Sequence, residues 1–204
     1  MAHRWRLYAA LFLATVLFLI ATLPLSAELP EQPIYPTGDF KVTLGNTYYE
    51  YHIPKPYEPD GTWGVFLLLH GTNGTPQTQM SCFPHGARPN EAFFVKMKCV
   101  GIAPKSVGIA WENTDKVPLA AFDDLMKKGY KLDPKRVHVL GVSSGGFAAG
   151  RIGYERITTF TSITVVAASL LIANKGAVKL HKNRPVFFIN GETDVNLKFA
   201  RDDY

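Results

Sequence analysis

Five short apolar runs constrain this chain more than anything else in it: Val65–His70, Cys99–Pro104, Val137–Val142, Phe160–Ala168 and Pro185–Asn190. Val65–Leu69 is apolar at every position, rather than at every second one, which fits a strand buried on both faces. Helical patterns stand between the runs. One is expected over 90–98 and a second over Leu119–Lys128, stopped by Gly129. A third, rich in small residues, is expected over 144–154. A loop rich in Gly, Thr and Gln is expected over 71–81, and Asp133-Pro134 reads as the turn into the third run. The stretch Leu170–Ala177 reads either way. Ahead of the runs, FKVTLGNTYYEYHI predicts two strands around the turn dipeptide Gly45-Asn46. Strands alternating with helices at this spacing predict an α/β fold with a mostly parallel sheet.

The 204 residues are 47% hydrophobic and only 19% charged, so the chain has a core to bury and is not disordered. A formal net charge of +5, to which Arg4 and Arg6 contribute, is too mild to imply a nucleic-acid partner. The basic cluster Lys127, Lys128, Lys131, Lys135 and Arg136 reads as solvated loop charge.

Residues 1–27 pair a basic start with an apolar stretch and end on Ser26-Ala27, the pattern of a secretory signal peptide, with a signal anchor as the alternative. Either places the rest of the chain outside the cytosol, secreted or periplasmic if the segment is cut, membrane-anchored if it is not. Residues 28–39, with Pro30, Pro33 and Pro36, read as a leader to a domain over 40–204. An oxidising compartment makes Cys82 and Cys99 candidates for a disulfide, two buried free thiols being the other reading. HExxH and CxxC patterns are absent, and neither a metal nor an organic cofactor is expected.

Gly141-Val142-Ser143-Ser144-Gly145 matches G-x-S-x-G between a strong strand and a helix of small residues. That setting is the one in which a sharp turn presents a nucleophilic serine at the top of a sheet. Flanking glycines remove the side chains that would clash in the turn, and the following helix N-terminus favours developing negative charge. His70-Gly71 ends the first apolar run, where an HG-type loop supplies one backbone N–H of an oxyanion hole. Thr72 is the expected donor, partnered by the N–H of Ser144, and His70 is assigned a structural role. Chain order then asks for an acid after the serine. Asp194, in the loop after the fifth run, fits, with Glu192 and Asp202 as rivals.

Four segments carry a resemblance: LLLHG, VGIAP, LDPKRVHVLGVSSGGFAA and PVFFINGETD. From about Tyr49 onward the chain resembles α/β-hydrolases of the secreted polyhydroxybutyrate depolymerase and feruloyl esterase type. The resemblance implies an α/β-hydrolase sandwich and a serine carboxylic-ester hydrolase that acts through an acyl-enzyme. Ser143 would be its nucleophile, Asp194 its acid, and Thr72 and Ser144 its oxyanion donors. Trp111, after the second run, would line the acyl or alcohol pocket or else sit in the core. The doubled Gly145-Gly146 is shared with prolyl-oligopeptidase-like peptidases, so a serine peptidase stays open.

One departure is plain. The family's catalytic histidine follows the acid after one more strand, and no histidine follows Asp194 here. All six (His3, His52, His70, His85, His138 and His181) precede it, and only His85 is a conceivable substitute. A serine without a base is a poor nucleophile. The chain is therefore expected to be a truncated form lacking the final strand and histidine loop, or a non-catalytic binding protein that kept the fold. The expected substrates are small-molecule or polymeric esters.

Overall fold

The computed structural model describes residues 34–82, 89–111, 116–170 and 184–203. The chain divides into compact units at Ile34/Tyr35, and everything below concerns the second. The signal segment, the first half of the 28–39 leader (28–33) and the ambiguous stretch after Leu170 lie outside the described residues.

A hairpin opens the fold. Strands β1 (Gly38–Leu44) and β2 (Thr47–Ile53) pair antiparallel around Gly45, whose φ of 61° is the left-handed value such a turn requires. Strands β3 (Trp63–Leu69), β4 (Cys99–Pro104), β5 (Leu132–Val142), β6 (Ser162–Val166) and β7 (Val186–Ile189) follow. Together they form a seven-stranded sheet in the order β1-β2-β4-β3-β5-β6-β7. β4, β3, β5, β6 and β7 run parallel, while β2 joins β4 antiparallel. The expected mostly parallel α/β sheet is therefore the observed one.

Both faces of the central strands are covered, as their unbroken apolar runs predict. Val65, Leu67, Leu69, Val100, Ile102, Val137 and Val139 point into the larger core. Leu68, Cys99 and Ala103, one residue out of phase, point into a smaller one. Helices α1 (Pro76–Met80) and α2 (Pro89–Met97) cover the smaller core with Met80 and Phe94. Helices α3 (Lys116–Met126) and α4 (Ser144–Glu155) cover the larger. On α3 the buried Pro118, Leu119, Ala121, Phe122 and Leu125 form one stripe at helical spacing. A short α5 (Leu197–Asp202) closes the described chain.

Three details differ from the sequence reading. The 71–81 loop contains α1, because Thr75 caps it and Thr78 answers in a reciprocal capping box, with Pro76 at the first turn. Five residues are too few for periodicity to reveal such a helix. The third strand begins earlier than expected, yet its ladder to β3 jumps from the Trp63↔Leu132 pair to Val65↔Val137. Asp133 accepts the Lys135 N–H at 2.8 Å inside that jump, so the Asp-Pro turn is present as an irregularity within β5. Lastly, β7 buries one face only: Val186 and Phe188 pack on the core, and Phe187 and Ile189 are exposed.

The two thiols do not form the candidate disulfide. Both are free, Cys82 exposed and Cys99 buried. The Cys82 thiol meets the Thr78 carbonyl one turn back, and Cys99 faces the Met97 carbonyl inside the smaller core. Each thiol thus has its own backbone partner, and burial raises the pKa of the Cys99 thiol.

Candidate active site

Ser143 sits between β5 and α4 with φ 53° and ψ −121°, a backbone conformation rare for any residue with a side chain. The structure needs the glycines around it. A Cβ on Gly141 would lie 1.9 Å from the Gly145 carbonyl oxygen, and one on Gly145 would lie 2.2 Å from that of Leu69. Any side chain at either place would push α4 off the strands and open the turn. The turn is tied to the sheet where the Ser143 N–H donates to the Val166 carbonyl at 2.8 Å. Its own carbonyl accepts from the N–H groups of Gly146 and Phe147 as the helix starts. The Ser143 side chain makes no capping bond to that helix. This is the strand–turn–helix geometry expected from G-x-S-x-G.

The loop after β3 comes up beside it. A Cβ on Gly71 would sit 3.5 Å from Ser143 Cβ, so the two turns are in near contact. Gly71 to Gly74 form a tight turn closed by Gly74 N–H to Gly71 O at 2.9 Å, with Asn73 at φ 59° in its third position. The Asn73 N–H donates to the Ile109 carbonyl at 2.7 Å, tying this turn to the chain that follows β4.

His70 stays within the scaffold. Its Nε2 accepts the Ser106 N–H at 3.2 Å, so the proton is on Nδ1, which donates to the Gly71 carbonyl at 2.7 Å. Burial, more than the nearby Lys105, lowers its pKa and holds the ring neutral. The structural role expected of His70 is thus the one it has. Its ring lies 4.9 Å from that of Trp111, whose Nε1 donates to the His70 carbonyl at 2.6 Å.

A cavity of about 320 Å³ opens over this arrangement, lined by Thr72, Ala110, Trp111, Ser143, Ser144, Phe147 and Arg151. The structure therefore gathers four of the residues singled out in the sequence: Ser143, Ser144, Thr72 and Trp111. Trp111 does both things expected of it, being buried in the core while lining the cavity. Phe147 and Arg151 were not anticipated. They lie at helical spacing from Ser144, a signal that reads equally as packing until the cavity is seen.

Asp194 is not among the lining residues. It occupies the loop after β7, where its carboxylate accepts from the Asn196 N–H at 2.8 Å and from the Asn190 side-chain amide at 3.4 Å. β7 is two strands from β5, a lateral offset of about 9.5 Å at ordinary strand spacing. Ser143 and Asp194 thus share the carboxyl edge of the sheet without touching. No described histidine stands between them. His52 pairs with Asp39 at 2.8 Å, and His138 contacts Ser162 Oγ at 2.8 Å while its ring stacks near Phe66. His3, His85 and His181 lie outside the described residues. Among the described residues, no group of three His, Cys, Asp or Glu side chains is placed to hold a metal ion.

No protein-family model matches the sequence, and no curated protein does. Solved structures do match. A thermostable esterase superposes with a TM-score of 0.62 at 19% identity, over 81% of this chain and 50% of that one. S-formylglutathione hydrolase from Staphylococcus aureus gives 0.61 at 13% identity, over 80% and 82%. The feruloyl esterase module from Clostridium thermocellum, a serine-to-alanine mutant complexed with sinapinate, gives 0.63 at 12% identity, over 86% and 75%. The chain spans about half the length of the thermostable esterase. The likeness is one of fold: the sheet and its helices are those of an α/β-hydrolase.

Proposed function

We propose that this chain carries the nucleophile and oxyanion site of a serine carboxylic-ester hydrolase. One observation carries the reading: a serine at positive φ atop a parallel strand, facing a cavity whose wall includes Thr72 and Ser144. Ser143 Oγ attacks the ester carbonyl carbon and loses its proton to a base. The N–H groups of Thr72 and Ser144 stabilise the oxyanion of the tetrahedral intermediate. The alcohol leaves with a proton, and water then hydrolyses the acyl-enzyme. Among the described residues His52, His70 and His138 are engaged elsewhere, and none of them is placed to be that base. Asp194, on the same edge of the sheet, orients that base. The substrates are small-molecule or polymeric esters, a class supported by the likeness to esterases and a feruloyl esterase module. The amino-terminal pattern supports a site of action outside the cytosol.

A fluorophosphonate probe tests the reading on the full chain. Labelling is expected in the wild type and absent in Ser143→Ala. A folded chain that takes no label favours the non-catalytic binding protein instead. Matched ester and amide substrates separate an esterase from a peptidase, with turnover of the ester alone expected.

A further inference from the structure

We propose that β7 is an interface between two copies of this chain, paired antiparallel, edge to edge, about a two-fold axis at Phe188. Among the described residues the sheet has two outer strands, β1 and β7. β1 turns Asp39, Lys41 and Thr43 to solvent, and charged side chains of that kind keep an edge from pairing. β7 turns Phe187 and Ile189 outward instead, 54% and 56% exposed. Val195 and Phe199, in the segment that follows, are exposed as well. Four of the nine large apolar side chains left exposed among the described residues thus belong to β7 and the short segment after it, which singles out this edge as the one built to be covered.

The backbone fixes where a copy adds. The carbonyls of Pro185 and Ile189 accept from the N–H groups of Ile163 and Ala167, so residues 185, 187 and 189 direct their backbone groups at β6. Alternation then points those of Val186, Phe188 and Asn190 to the outer edge. Pro185, which has no N–H, falls on the inner side and leaves no gap in that edge.

Two such edges related by a two-fold axis at Phe188 form hydrogen-bonded pairs, Phe188 with Phe188 of the copy and Val186 with Asn190 of the copy. Phe187 of each chain then faces Ile189 of the other in a non-hydrogen-bonded pair, where side chains come closest. The register that joins the backbones is thus the one that covers the exposed apolar pair. It also brings Arg184, just before the strand, toward Glu192, just after the strand of the copy, so unlike charges meet at both ends. An axis at Val186 would set Phe187 against Pro185, and one at Asn190 would set Ile189 against Gly191, and either would lose the apolar and the charged pairing together.

Sedimentation velocity of the full chain is the test. A monomer–dimer equilibrium is expected, and a chain that stays monomeric at every concentration overturns the proposal. Ile189 is exposed in the single chain, so Ile189→Lys is expected to fold. By symmetry it removes two apolar pairs, and it is expected to weaken dimerisation by about tenfold. At low salt, Arg184→Glu and Glu192→Arg each set like charges together and weaken the dimer, and the double exchange restores it. Cross-linking reads the register, in a Cys82→Ser chain so that the exposed native thiol takes no part. Under oxidising conditions, Phe187→Cys and Ile189→Cys chains are expected to link when mixed and far less when kept apart. A dimer that Ile189→Lys leaves intact, a double charge exchange no tighter than the single ones, or cross-linking equal in the unmixed chains overturns the proposal.

Discussion

Ser143 holds a backbone conformation that disfavours any side chain, and holding it costs of order 1–3 kcal/mol. The surroundings enforce it: the Val166 carbonyl takes its N–H, and Gly141 and Gly145 close in on either side. Glycine at 143 relieves that strain but gives the unfolded chain more freedom, worth about 0.5–1 kcal/mol. Ser143→Gly is therefore expected to raise stability in urea titration by about 1 kcal/mol while abolishing labelling. A loss of stability would mean that the turn is not strained. The serine, its glycines and the structural part played by His70 were all legible in the sequence. Arg151 was not, because nothing in a helical spacing says which face looks into a cavity.

Among the elements, α4 sets the position of the site, and its small residues do not matter equally. A Cβ at Gly145 would meet backbone, the Leu69 and His70 carbonyls at 2.2 and 2.5 Å. One at Gly153 would meet the end of the Ile163 side chain at 2.4 Å, which can turn away. Gly145→Ala is thus expected to cost about 3 kcal/mol or more, and Gly153→Ala about 1 kcal/mol, in thermal or urea unfolding. Labelling of Ser143 should vanish in the first and persist in the second. Equal costs would show that α4 is free to shift on the sheet. At this scale the long strands and helices were readable from pattern. α1 was missed because its signal is a cap, Thr75-Pro76 answered by Thr78, and not a period.

At the scale of the whole molecule, burial links stability to pH. Burial is the first cause of the lowered pKa at both His70 and His138, with Arg136 a lesser one at His138. The unfolded chain takes up these protons near pH 6.5, whereas the folded chain resists until lower pH. Their contribution to stability is therefore complete above about pH 6.5 and is lost as pH falls through the lower folded values. Glu50 and Asp203, raised chiefly by burial, act in the opposite direction in the carboxylate range. The midpoint of thermal unfolding is expected to decline from pH 7 toward pH 5.5, roughly the window in which an unfolded histidine titrates. His138→Gln should flatten that decline, and an unchanged slope would mean the buried imidazoles are not its source. Protonation of His70 would also set an N–H against the Ser106 N–H and loosen the Gly71–Gly74 turn, so labelling should fall at a pH below that at which an unfolded histidine titrates.

The sequence by itself determined the class of fold, because short apolar runs alternating with helical patterns fit the strands and covering helices of a mostly parallel sheet. It also determined the serine turn, because G-x-S-x-G between strand and helix leaves the backbone few other ways to pass. Tertiary structure alone decided which residues share a space. Thr72 and Trp111 reach Ser143 only because β4 and β5 flank β3 in the sheet order, bringing their following loops together. The same order leaves Asp194 two strands away. Packing gives Cys82 and Cys99 separate partners where their spacing alone allowed a bridge, and it brings Arg151 to the cavity wall. Patterns along a chain report local periodicity, whereas contacts across a parallel sheet depend on crossovers of many residues that no local pattern encodes.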